Sequence, residues 1–222
     1  VINLPCPQCG GDVPVRSAAL PYATCPYCHT VILRDSDELR AVGTAAVLPF
    51  DVSPIQLGTR GVAQGQGFEV VGRVRWGWSA GSWNEWLLAC GDGKNRWLGE
   101  AMGSYAVLSE RPDLLTEPNV VAFAKTGVFG LGDTVMVNGR TLVATDIKQA
   151  TCLGSEGDLP FPTPPDWTMS NVDFRSNDGT ALSLQRDKQG TSAWAGLYCD
   201  LAALGPTNLR RIDGWALPTG LA

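Results

Sequence analysis

The chain has 222 residues, 26 of them glycine and 15 proline, and a formal charge of −5. That length holds one substantial core plus a small appendage, so two unequal domains are expected. The charged fraction of 18% is too low for a disordered chain, and the acidic balance repels phosphate backbones and anionic lipid, which disfavours nucleic acid as a partner. No run approaches the roughly 18 apolar residues of a membrane helix, and no basic stretch leads into an apolar one at the start; a soluble, cytoplasmic protein is expected.

The N-terminal segment CPQCGGDVPVRSAALPYATCPYCHT sets Cys6 and Cys9 against Cys25 and Cys28, two C-x2-C pairs separated by fifteen residues. Four thiolates at this spacing fit a tetrahedral zinc site. Two disulfides are the alternative, disfavoured in a reducing compartment. With all four positions taken by sulfur, the single Zn2+ is expected to be structural and to supply the folding energy of a ribbon spanning residues 1–34, with strands near Val13 to Arg16 and Thr30 to Leu33. His29, the only histidine, reads as a surface or supporting residue and not as a fifth ligand. Arg16, Arg34 and Arg40 are offset by Asp12, Asp35, Asp37 and Glu38, so the ribbon carries no basic patch and a structural or protein-binding role is favoured over a nucleic-acid-binding one.

Residues 35–56 read as a linker. The charged stretch RDSDELRAVG is compatible with a short helix from about Asp35, and TAAVLPFDVSPIQLG, with Pro49 and Pro54, reads as extended chain. From Leu57 to the end, residues 57–222, the pattern is strands and turns. Asp92-Gly93, Asn138-Gly139 and Asp178-Gly179 each lie between alternating apolar residues, which predicts three hairpins. Strands are expected over 67–75, 84–90, 95–100, 104–108, 133–137, 140–147, 171–176, 180–186 and 192–198, and GSEGDLPFPTPPDWT over 154–168 as an irregular loop. The fold class is therefore mainly β: a zinc ribbon followed by an antiparallel barrel or sandwich. A strand, glycine turn and Asp-Gly hairpin recur in 67–100 and 139–186, which points to two related halves.

A two-residue turn at Asp92-Gly93 would place Leu88 opposite Trp97, Leu87 opposite Leu98, Trp86 over Gly99 and Glu85 directly opposite Glu100. Two opposed carboxylates need an arginine, Arg73 or Arg75, a shared proton or a divalent cation to relieve them. Glu85, Glu100 and Glu156, with Arg73, thus form the candidate ligand or cation site, with Asp158 near it on the proline-rich segment. No catalytic residue is assigned. The β region lacks histidine, so no Ser-His-Asp triad or Cys-His dyad can form within it, and no phosphate-cradling P-loop appears. Most of the eight tryptophans are expected in the core, and Cys90, Cys152 and Cys199 have no ligand spacing and read as small buried residues.

The Cys-Pro-x-Cys ribbon, LGTRGVAQGQGFEVVGRV, W-x-E-W-L-L followed by W-L-G-E, and EGDLP together resemble a bacterial family of uncharacterised domains. The matching residues are Gly58, Gly67, Gly72, Arg73, Glu85, Trp97, Glu100, Glu156, Gly157 and Pro160. The resemblance implies a zinc ribbon ahead of a β-rich domain, encoded near phage-shock-type envelope-stress, polyamine-metabolism-like and small membrane proteins. It brings no enzymatic activity. The expectation is a non-enzymatic scaffold for protein contacts in such a stress system, with membrane-associated stress proteins as the implied partners. A carboxylate enzyme or cation- or small-ligand-binding β domain is the first alternative, and a nucleic-acid-binding ribbon the second.

Overall fold

Period-two alternation of apolar and polar residues makes almost every element a strand. The computed structural model describes residues 1–35, 38–49, 51–214, 216–217 and 221. Asp37, counted among the ribbon's acids, lies outside the described residues, as does Trp215, one of the eight tryptophans.

In the ribbon, β1 (Ile2–Pro5) pairs antiparallel with β2 (Asp12–Val15), and β3 (Tyr22–Thr24), β4 (Thr30–Asp35) and β5 (Glu38–Thr44) form an antiparallel run. The short helix expected from about Asp35 is replaced by strand β5. The apolar, β-branched run Thr30 to Leu33 makes β4 a strong template, and Leu33 opposes Arg40 while Val31 opposes Gly43. A charged stretch that ends in a β-branched valine and a glycine, Val42 and Gly43, does not hold a helix against such pairing.

The remaining elements follow one plan twice. The first half comprises β6 (Arg60–Ala63), β7 (Gln66–Trp78), β8 (Gly81–Cys90), β9 (Asn95–Ala101), β10 (Ser104–Glu110) and a 3-10 turn, Pro112–Thr116. Helix α1 (Pro118–Thr126) follows, started by Pro118 and the Glu117 side chain, which accepts from the Val120 amide at 2.9 Å, and stopped by left-handed Gly127. The second half comprises β11 (Thr134–Val137), β12 (Arg140–Leu159), β13 (Thr168–Arg175), β14 (Thr180–Arg186), β15 (Thr191–Cys199) and a 3-10 turn, Leu201–Leu204. Corresponding turns are built alike. Gln64-Gly65 and Asn138-Gly139 both have two positive φ angles, as a type I' turn requires, and the Asp-Gly turns both put only the glycine, Gly93 or Gly179, in the left-handed region.

Each half is a four-stranded meander, β7 to β10 and β12 to β15. The meanders join along two antiparallel seams, β7 with β12 and β10 with β15, and so close an eight-stranded barrel. Strand β12 runs on to Leu159, so the first six residues of the expected loop, 154–159, are strand; the prolines begin only at Pro160. Its far end pairs on its other edge with β3, which fuses the ribbon's sheet to the barrel. The joint is anchored by Asp158, fully buried, whose Oδ2 accepts the Arg16 and Ser17 amides at 2.6 and 2.7 Å.

Three apolar clusters follow from closure. Outside the first half, Val70, Trp86, Leu88, Leu98 and Val107 are covered by Ile55, Ala63, Leu201 and Leu204. Outside the second, Val172, Phe174, Leu182 and Leu184 are covered by Leu114, Val120, Phe123 and Val135. The 3-10 turn ending each half thus caps the other. The third cluster, around Trp76, Leu87, Trp97, Cys152 and Met169, lies within the barrel.

Both seams need glycine. A Cβ at Gly72 would lie 2.0 Å from the Asp158 carbonyl oxygen, and one at Gly196 would lie 1.9 Å from that of Val107. Gly196→Ala should therefore cost at least about 2 kcal/mol, by overpacking against backbone that cannot yield. Urea unfolding should show a lowered midpoint with an unchanged slope.

Candidate functional site

The four ribbon cysteines converge. Their sulfurs all lie within 4.8 Å of one another, with Cys6 to Cys28 at 3.7 Å and Cys9 to Cys25 at 3.8 Å. A disulfide would need about 2.05 Å, whereas thiolates held about 2.3 Å from a tetrahedral zinc sit about 3.8 Å apart, so the spacing fits a metal centre. The two knuckles are equivalent: Gly10 and His29 each follow the second cysteine in the left-handed region, and their amides donate to the Cys6 and Cys25 carbonyls. His29 serves as backbone here and is not among the ligand set. Val13, Ala23 and Ile32 pack on the buried thiols, so the centre is the ribbon's own core.

The candidate carboxylates do not meet. Asn84 pairs with Glu100 and Glu85 with Gly99, one residue away from the expected register, so the two glutamates face opposite sides of the sheet. The turn is the cause. The Cys90 amide donates to the Lys94 carbonyl and the Gly93 amide to that of Cys90, making a three-residue connection closed by left-handed Gly93 instead of a two-residue one. Trp86 accordingly opposes Leu98, not Gly99, and Leu87 opposes Trp97.

Glu100, on the outer face, is buried in a polar network. It accepts from Ser53 Oγ, Asn84 Nδ2 and Trp86 Nε1, each at 2.9 Å, and from the Tyr105 hydroxyl at 3.4 Å. Burial, reinforced by Glu100, pushes the Tyr105 phenol up and keeps it a donor. Arg73 lies alongside, its guanidinium 4.6 Å over the Trp86 ring, donating to Asn84 Oδ1 at 2.8 Å and to Glu156 at 3.2 Å. Arg73, Arg75 and Arg210 all pair with Asp51. Arg73, Glu100 and Glu156 are thus brought together, with arginine supplying the countercharge. The sequence reading missed Asp51, an acid in a proline-flanked stretch that reads as linker.

Glu85 points inward. Trp76 Nε1 donates to its Oε2 at 2.9 Å, and Trp83 Nε1 and Gln185 Nε2 donate to its Oε1 at 3.2 and 2.8 Å. Strands β8 and β14 are diametrically opposed in the barrel, so the Gln185 bond crosses the lumen. Burial pushes the Glu85 carboxyl up, the three donors oppose it, and Asp173 adds to the rise. Asp173 is raised in turn by burial, against hydrogen bonds from Asn171 and Ser183. Among the described residues neither carboxylate has an ion-pair partner.

Around these two acids lies a cavity of about 890 Å³. Trp76, Trp83, Trp97 and Ala106 line it from β7, β8, β9 and β10. Lys148, Asp173, Gln185 and Trp194 do so from β12, β13, β14 and β15. All eight barrel strands contribute, so the cavity is the lumen. Phe161 and Trp167, from the loop joining β12 to β13, close on Trp97 and Trp76 with ring centroids 5.8 and 4.8 Å apart. No described helix is long and apolar enough to cross a membrane.

The family described as a domain of unknown function (DUF4178) matches residues 56–200. The chain belongs to this family. The DUF4178 match takes in the whole barrel and its lumen, and the cysteine centre precedes it. No curated protein and no solved structure matches the chain.

Cys25→Ser should abolish stoichiometric metal binding. Elemental analysis of protein purified without chelator should fall from one metal per chain to near zero, and ribbon amides should lose exchange protection while the barrel keeps its own, because structural metal binding supplies about 10 kcal/mol or more of a ribbon's folding energy. A second expectation concerns pH. Glu85 binds its proton more tightly folded than unfolded, so the native state holds the extra proton and unfolding free energy falls as pH rises from the ordinary carboxylate range through its raised value. Each tenfold change in proton affinity on folding is worth about 1.4 kcal/mol. Urea denaturation at a series of pH values should show a shallower decline in Glu85→Gln than in the parent.

Proposed function

We propose that the chain is a non-enzymatic binding protein in which a zinc-stapled ribbon braces a barrel whose lumen takes a small molecule. The observation that carries this is the lumen itself. Eight-stranded barrels have room for one small ligand, and pockets that hold such ligands run from about 300 to 1,000 Å³, apolar and aromatic with a few fixed polar groups. A cavity of about 890 Å³ walled by tryptophans and carrying Glu85, Asp173 and Gln185 has that character. It gives substance to the small-ligand alternative, with Glu85 kept and with Glu100 and Glu156 given to the outer network.

Zinc is the metal proposed for the thiolate centre, since four sulfurs with tetrahedral spacing suit it and leave no open position for chemistry. A role in protein contacts, with membrane-stress proteins in the cytoplasm as partners, is a second reading supported by β5. That strand ends the sheet, its only described neighbour is β4, and it is exposed along nearly all its length, so its free edge can accept an added strand.

Native mass spectrometry of protein purified without chelator tests the first reading. One metal together with a non-covalent mass that is lost on denaturation is expected. Ala106→Phe, which fills the lumen from the middle of the barrel wall, should retain the metal and lose the extra mass. An extra mass that persists in Ala106→Phe places the ligand elsewhere and overturns the reading.

A further inference from the structure

We infer that the barrel lumen receives an alkylated ammonium group, tertiary or quaternary, seated against the tryptophan wall with Glu85 and Asp173 as its countercharge; this rests on the lumen-binding reading.

Three observations carry it. The first is charge. Asp146 pairs with Lys148, whose charge reaches Asp173 through space without an ion pair, so Glu85 and Asp173 lie inside the cavity with no cation bonded to either among the described residues. Two neighbouring carboxylates in an aromatic chamber are electrostatically incomplete, and a ligand cation completes them.

The second is that the wall already holds cations on ring faces. The Lys148 ammonium lies 4.9 Å from the Trp78 ring centroid and 5.9 Å from that of Trp83, whose indole N–H bonds Glu85. At the rim the Arg175 guanidinium lies 4.1 Å from the Tyr198 centroid. Tryptophan faces attract cations most strongly of the aromatic side chains, and more so where water is excluded.

The third decides which cation. A primary ammonium has three N–H donors to satisfy. Glu85 already accepts three N–H bonds, on both its oxygens, and Asn171 engages Asp173. The chamber therefore offers negative potential and ring faces more than free acceptors. A quaternary ammonium has no N–H to satisfy and a tertiary one has a single donor, so either loses less hydration on entry than a primary ammonium and gains from potential and rings together.

The test uses the full chain with its metal retained. Tryptophan fluorescence is followed at constant ionic strength during titration with choline, with the alcohol in which carbon replaces choline's nitrogen, and with ethanolamine. Saturable binding of choline, at least about tenfold tighter than either comparison compound, is expected. Glu85→Gln and, independently, Asp173→Asn should each weaken choline binding about tenfold while melting cooperatively, and Ala106→Phe should abolish it. Equal binding of the alcohol overturns the cation assignment and leaves lumen binding intact. Equal binding of ethanolamine overturns the alkylated class. If none of the three binds while the native protein still carries a mass that Ala106→Phe lacks, the assignment falls alone; if that mass is also absent, both fall.

Discussion

Closure of the sheet is the constraint on which the rest depends. Eight antiparallel strands can close only if each seam aligns backbone donors and acceptors at hydrogen-bonding distance, and at both seams the chains approach so closely that a single methyl group would strike a carbonyl. Gly72 serves one seam and Gly196 the other. At the first, Gly72 faces left-handed Gly157, and the same bend in β12 frees its outer edge to pair with the ribbon. One locally permissive stretch therefore closes the barrel and attaches the four-cysteine ribbon, and Asp158 clamps that attachment with two ribbon amides.

Closure also sorts the polar residues. In an open sandwich the face bearing Lys148, Asn171, Asp173, Ser183 and Gln185 would meet solvent, opposite the face bearing Val172, Phe174, Leu182 and Leu184. Rolling the sheet turns that polar face inward and requires the apolar one to be covered from outside. The two outer clusters and their covering turns meet that need, and they leave the lumen free to stay partly unfilled. The two outer clusters thus add to the apolar cluster inside the barrel, while Lys148, Asp173 and Gln185 keep their polar groups in the lumen.

The strand pattern, the hairpins and the cysteine knuckles were legible because each is local: a period of two, a glycine at a left-handed turn, a cysteine spacing. The duplication was legible as a recurring turn order. What escaped was set by single-residue choices and by distance. A three-residue turn in place of a two-residue one moved Glu100 from beside Glu85 to the other face of the sheet. Nothing local distinguishes the two outcomes, since Asp-Gly serves both. Alternating polar residues along β13 and β14 could have marked the lumen, but the same alternation describes a solvent-facing strand. Asp51 binds three arginines from two distant segments, and only the folded chain brings them together.

The crossed placement of the two 3-10 turns makes each half depend on the other. Each half ends in a segment whose leucines cover the outside of the other half, and each meander leaves edge stretches, along β7 or β12 at one seam and β10 or β15 at the other, that the other meander pairs. A single half could satisfy neither demand within itself. The two halves, exchanging their tails and pairing edge to edge, satisfy both, so the architecture has the connectivity of a domain-swapped pair held within one polypeptide through the segment that holds α1, and the lumen at their shared centre is lined by different residues from its two sides.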